Sequence, residues 1–138
     1  MKNRGNQCSL ISSNYLLTYV TRTSEKVRWE GIKDLKLYLD DRRTPPVGDD
    51  IRSADNYADF LALLDKYRDC LECVSLDYDL GWDSLFTGYN ALEYMKKHDI
   101  KCGHINVHST HPTGRDRMLA YAVHNFPEAI VTGWENCL

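Results

Sequence analysis

The sequence predicts an α/β domain in which helices pack on a largely parallel central sheet as a three-layer fold. Three observations predict it. From Leu35 onward, short apolar runs alternate with amphipathic stretches, the pattern of repeated strand–helix–strand units. Three of these runs stop abruptly at polar residues, namely Asp40-Asp41, Asp77 and His108-Ser109. The composition fits one domain with a real core: 138 residues, 43% hydrophobic, and 17 Lys+Arg against 20 Asp+Glu for a net charge of −3.

Leu35-Lys36-Leu37-Tyr38-Leu39 reads as a buried first strand, followed by a turn at Thr44-Pro45-Pro46. Ile51-Arg52-Ser53 is a short second strand, and Asp55 offers a cap for a helix with Tyr57, Phe60, Leu61, Leu64 and Tyr67 on its apolar face. Only the nine residues 42–50 separate the acidic pair from the second strand, whereas a parallel crossover needs about a dozen or more. The first crossover helix is therefore shortened or missing, or the second strand is irregular. Cys73-Val74-Ser75-Leu76 forms the next strand, and Thr87 caps a helix carrying Tyr89, Leu92, Tyr94 and Met95. His104-Ile105-Asn106-Val107 is a further strand. Pro112 and Thr113 open a last helix through Met118, Leu119 and Val123, and Ala129-Ile130-Val131 closes the sheet.

Several classes are excluded. No apolar stretch approaches the roughly 20 residues of a membrane helix, and the start Met1-Lys2-Asn3-Arg4 runs into polar Gly5, Asn6 and Gln7 rather than an apolar signal core. The expectation is a cytoplasmic protein with no membrane partner and reduced thiols, since its five cysteines are an odd number without a signal. A slightly acidic balance gives no general attraction to phosphate backbones, so any anion site must be local. Residues 1–34 differ in character: they are rich in Ser, Thr and Asn, with one strand-like run at 15–21 and a charged stretch over 25–34. They read as an extension of unknown role preceding a domain over 35–138.

Ligands of open α/β sheets bind beyond the carboxyl ends of the strands, where the three polar stops would meet. Asp40, Asp41 and Asp77 held together repel one another unless a hard cation joins them, which points to Mg2+ or Mn2+ and to a phosphate-containing substrate on the open positions. The competing interpretation is that each Asp is a turn residue after a strand, which three coincident stops make less economical than a site. Arg42 and Arg43 flank the acidic pair, and guanidinium forks suit phosphate. The helix start near Pro112 and Thr113 would point free N–H groups at an anion. His108 is the candidate for proton transfer, with His111 a second, because histidine titrates near neutrality.

The segments Leu39-Asp40-Asp41-Arg42-Arg43-Thr44-Pro45-Pro46, Ser75-Leu76-Asp77-Tyr78-Asp79-Leu80-Gly81, Thr87-Gly88-Tyr89 and Val107-His108-Ser109 with Gly114-Arg115 resemble the cyclic-phosphate-processing receiver family, a divergent relative of the receiver domains of two-component signalling. The resemblance implies a receiver-like, flavodoxin-like fold and a metal-dependent phosphohydrolase or phosphodiesterase of cyclic phosphates, either 2′,3′-cyclic RNA ends or cyclic nucleotides. In it Asp40, Asp41 and Asp77 hold the metal, His108, Asp79 and Ser109 serve catalysis, and Arg115, Arg42 and Ser109 bind the phosphate. Arg117 reads as a solvated helix face. A signalling receiver carries a lysine at the end of its last strand, but here Val131 is followed by Thr132, Gly133 and Trp134. Two alternatives stay open: a signalling receiver phosphorylated on Asp77, and a non-catalytic module binding a nucleotide or protein. The oligomeric state is not legible.

Cys70-x-x-Cys73 and Cys102-x-His104 precede two strands expected to be neighbours and would meet at the opposite end of the sheet. Four such residues can hold zinc, but Cys-x-His is an atypical spacing for it and strand cysteines are commonly just buried. Trp82, in the loop after Asp77, either stacks on a nucleobase or covers the sheet end.

Overall fold

The computed structural model describes residues 35–134; the strand expected at 15–21, the charged stretch 25–34, Cys8 and Cys137 lie outside the described residues. The elements are β1 (Leu35–Leu39), β2 (Ile51–Ala54), α1 (Tyr57–Tyr67), β3 (Leu71–Leu76), α2 (Gly88–Lys97), β4 (His104–Val107), α3 (Pro112–Asn125) and β5 (Ile130–Gly133). Every strand pairing is parallel and the order is β2-β1-β3-β4-β5, a receiver-like α/β arrangement. Residues 40–50 join β1 to β2 without a helix, as the short spacing anticipates. No helix among the described residues is long and apolar enough to cross a membrane.

Element boundaries differ from the sequence reading at α1, β3 and β5, and β2 runs one residue further, to Ala54. Asn56, not Asp55, caps α1: its backbone is extended and its Oδ1 accepts from Asp59 N at 2.9 Å, while Asp55 accepts from the Asn56 amide at 2.8 Å. β3 starts at Leu71 because its first residue pairs with Leu35 across a register shift. β5 runs on to Gly133 because Thr132 and Gly133 continue the ladder with Asn106 and Val107. At α2, Thr87 N donates to Asn90 Oδ1 at 2.8 Å, which secures the cap foreseen there.

The topology fixes where a ligand can enter. Successive right-handed crossovers that step the same way along a sheet place their helices on one face, and α1, α2 and α3 touch side by side accordingly. The helix-facing residues Leu37, Leu39, Val74, Leu76, Ile105 and Val107 are all 0% exposed and pack against Phe60, Leu64, Leu92, Met95 and Met118. Only the connection from β1 to β2 steps the other way, so the strand order reverses between β1 and β3. That reversal is where an open α/β sheet forms a crevice at its carboxyl end.

Gly88 holds α2 close to that crevice. A Cβ on it would lie 2.0 Å from the Asp77 carbonyl oxygen and 2.9 Å from Met118 Cε, and backbone cannot give way as a flexible side chain does. Gly88→Ala is therefore expected to lose about 3 kcal/mol of stability, read as a lowered urea midpoint. An unchanged midpoint would mean that α2 shifts freely against β3.

Candidate functional site

The ladder continues one step beyond the strands and carries the polar stops with it. Asp40 N donates to Ala54 O, Asp77 N to Leu39 O, His108 N to Leu76 O and Trp134 N to Val107 O, at 2.9–3.2 Å. Asp40, Asp77, His108 and Trp134 thereby form one row across the carboxyl end. Carboxylate oxygens of Asp40, Asp41 and Asp77 lie within 4.8 Å of one another, with Asp40 and Asp77 buried and Asp41 half-buried. A pocket of about 350 Å³ opens beside them, lined by Asp41, Arg42, Arg43, Asp77, Asp79, Thr110, His111 and Pro112.

Asp40 is saturated with donors. Its Oδ1 accepts from Arg42 N at 2.8 Å and Arg43 N at 3.1 Å, and its Oδ2 from Arg43 Nη1 at 2.7 Å and His108 Nε2 at 3.0 Å. Burial pushes its carboxyl up, but these backbone and guanidinium donors outweigh burial and hold it below the ordinary carboxylate range. Asp77 is less well compensated. Burial first, then the charge of Asp40, raise it to about 6, against the Ser109 hydroxyl and an Arg43 guanidinium 3.4 Å away. Burial and the neighbouring Asp40 and Asp79 likewise raise Asp41. Hard oxygen donors this close, two of them short of countercharge, fit a small divalent cation.

Arg43, rather than Arg42 or Arg115, reaches the carboxylates. Its guanidinium bridges Asp40 and Asp77 and lies 5.1 Å over the Trp134 ring. Arg42 is exposed and lines the pocket, whereas Arg115 is not among the lining residues and pairs with Asp116 at 3.6 Å. Arg117 stacks over Tyr89 at 4.5 Å, on an exposed stretch of helix. The sequence offered four arginines near the motifs; which one turns inward depends on the tight turn at residues 41–43, which the Asp40 side chain itself organises.

His108 is 5% exposed, and both its ring nitrogens are engaged inside the protein, Nε2 with Asp40 and Nδ1 with Ser75 Oγ at 2.7 Å. Its ring is stacked on Tyr38 at 4.6 Å, and burial, opposed by Asp40, lowers its pKa. Ser109 is fully buried and accepts from His111 N at 3.0 Å, and its hydroxyl is among the groups that lower the Asp77 carboxyl. His111 is exposed on the pocket wall and caps α3, its Nδ1 accepting from Gly114 N at 2.9 Å. Asp79 is exposed on the same wall and closes a turn by accepting from Gly81 N at 3.1 Å. Gly81 adopts φ +109°, a conformation suited to glycine, and a Cβ there would sit 3.2 Å from Asp41 Oδ2. The next residue, Trp82, is 97% exposed and so covers nothing.

Among the described residues, the opposite end of the sheet holds no comparable centre. Cys70 and Cys73 are each disulfide-bonded, which corrects the expectation of reduced thiols and removes both sulfurs from any zinc set; an odd cysteine count leaves at least one thiol over but does not keep the others reduced. Burial pushes the Cys102 thiol up to about 12, and His104 Nε2 binds Thr132 Oγ1 at 2.8 Å. Among the described residues, Asp40, Asp41 and Asp77 form the cluster able to hold a metal.

Neither the curated proteins nor the solved structures contain a significant match to this chain. A family model, the cyclic-phosphate processing receiver domain, matches residues 35–123. That span begins with β1 and takes in both acidic strand ends, Gly88 and the first turns of α3, so the chain belongs to the cyclic-phosphate processing receiver domain family.

Proposed function

We propose that the domain is a Mg2+- or Mn2+-dependent phosphohydrolase or phosphodiesterase that opens or hydrolyses a cyclic phosphate, on an RNA end or a cyclic nucleotide. The observation that carries this reading is the cluster of Asp40, Asp41 and Asp77 at the reversal of strand order, beside a pocket that also collects Arg42 and the start of α3. These three carboxylates would hold the cation, which when bound polarises a phosphoryl oxygen and acidifies a water.

The chain's own groups supply the rest. Arg42 and, at the head of α3, the N–H of Thr113 bind phosphate oxygens, since Pro112 has no N–H and Gly114 N is taken by His111. Because His111 Nδ1 accepts the cap bond, its Nε2 carries the proton and serves as a further donor to phosphate. Asp79, exposed on the pocket wall, is placed to take a proton from attacking water. His108, with both nitrogens turned inward, acts through Asp40, and Ser109 orients Asp77. The exposed indole of Trp82 offers a stacking surface for a base at the mouth.

The test is ring opening or phosphate release from 2′,3′-cyclic nucleotides, 3′,5′-cyclic nucleotides and cyclic-phosphate-ended RNA, with Mg2+, with Mn2+ and with chelator. Turnover of at least one substrate, lost with chelator, is the expected result. An acyl phosphate trapped on Asp77 would instead make the domain a signalling receiver, and tight ligand binding without product would make it a binding module.

A further inference from the structure

The face of the sheet turned away from α1, α2 and α3 is polar in a way that the site does not require for packing. Parallel register sets Ser53, Tyr38, Ser75, Asn106 and Thr132 in one row across all five strands, and alternation puts them on the face opposite the apolar core. Ser75 and Asn106 are each only 3% exposed, so their polar groups need partners. They have them in an unbroken series. His104 Nε2 meets Thr132 Oγ1 at 2.8 Å, Thr132 Oγ1 meets Asn106 Oδ1 at 2.7 Å, Asn106 Nδ2 meets Ser75 Oγ at 3.1 Å, Ser75 Oγ meets His108 Nδ1 at 2.7 Å, and His108 Nε2 meets Asp40 Oδ2 at 3.0 Å.

Chemistry fixes the direction of every link. Asn106 Oδ1 can only accept, so the Thr132 hydroxyl proton goes to it and His104 Nε2–H must donate to the Thr132 oxygen. Asn106 Nδ2 can only donate, so the Ser75 oxygen accepts and the Ser75 proton is directed at His108 Nδ1. A carboxylate can only accept, so His108 Nε2 carries the proton facing Asp40. All five bonds therefore point the same way and end on the acidic cluster.

We infer that Ser75, Asn106 and Thr132 are positioning residues, a one-way donor chain that holds His108 as its Nε2–H tautomer and presents one fixed hydrogen bond to Asp40 Oδ2. Such a chain polarises each successive donor and prevents the imidazole from turning its bare nitrogen on the carboxylate. Groups that hold a ligand residue from behind in this way are worth about 10- to 100-fold in metal affinity at known sites. The tautomer assignment stands apart from the metal reading; the effect on affinity rests on it.

Two measurements decide the matter. Long-range proton–nitrogen correlation on the full chain with 15N-labelled histidine, at slightly alkaline pH and without metal, is expected to show His108 protonated at Nε2 and bare at Nδ1. Protonation at Nδ1 in the wild-type protein overturns the inference, whatever the metal does. In Asn106→Asp the amide donor is lost and a carboxylate takes the Ser75 proton, so the Nδ1 resonance should move towards that of a nitrogen without a donor; an unmoved resonance overturns the chain. Calorimetric Mn2+ binding should then weaken about tenfold in Ser75→Ala and recover in Ser75→Thr, which restores the hydroxyl. Wild-type affinity in Ser75→Ala overturns the positioning role, whereas failure of the wild type itself to bind Mn2+ overturns the metal reading and leaves the tautomer result to judge the chain.

Discussion

Asp77→Asn is expected to abolish metal-dependent turnover and, in the same protein, to raise stability at neutral pH in the absence of metal. Both effects come from one property. The Asp77 carboxyl titrates at about 6 in the folded chain against 3.8 for the free side chain, because it is buried beside Asp40. Its side chain is 9% exposed, so little solvent screens the interaction. The folded state therefore binds more protons than the unfolded state between these values, and stability falls as pH rises through the window. Above about pH 6 the full cost of about 3 kcal/mol is in place. Asparagine does not titrate, so the gap between variant and wild type should be small near pH 3.5 and reach about 3 kcal/mol by pH 7. Asp40 and His108, both lowered, lose stability in the opposite direction as pH falls, but both are present in each protein and largely cancel in the difference. Urea unfolding of the two proteins across this range checks the prediction. A constant gap would mean that Asp77 is not the group under strain, and retained turnover would remove it from the cation set.

Arg43→Ala should do the reverse to stability and strengthen the cation site. The guanidinium holds Asp40 at 2.7 Å and Asp77 at 3.4 Å, and the Asp40 bond raises the pKa of Arg43 itself. Its removal leaves two buried carboxylates facing each other with one fewer donor. Breaking a fully buried pair costs about 3–5 kcal/mol; with the Arg43 side chain 36% exposed, about 2 kcal/mol is expected in the metal-free protein. The same two carboxylates are among those that would hold a cation. With the resident guanidinium gone, Mn2+ affinity is expected to rise about tenfold, a change of about 1.4 kcal/mol. Calorimetric titration and metal-free denaturation of one preparation read both effects. Weaker Mn2+ binding in Arg43→Ala would show that the guanidinium supports the bound ion rather than standing in its place.

The sequence by itself determined the layered α/β class, the missing first crossover helix and the convergence of Asp40, Asp41 and Asp77. Each follows from local signals: an apolar run, the polar residue that stops it, and a spacing too short for a helix. Parallel order then carries strand ends to one edge whatever the remaining detail. What only the tertiary structure decided is which neighbours turn inward. Arg43 rather than Arg115 meets the carboxylates, and His108 is engaged at both nitrogens, because the turn after β1 and the stacking on Tyr38 set side-chain direction. Nor could the row from Ser53 to Thr132 be read from the chain. Ser75 and Asn106 sit inside strands that read as apolar runs, and their partnership exists only in the register between strands, which depends on pairings far apart in sequence.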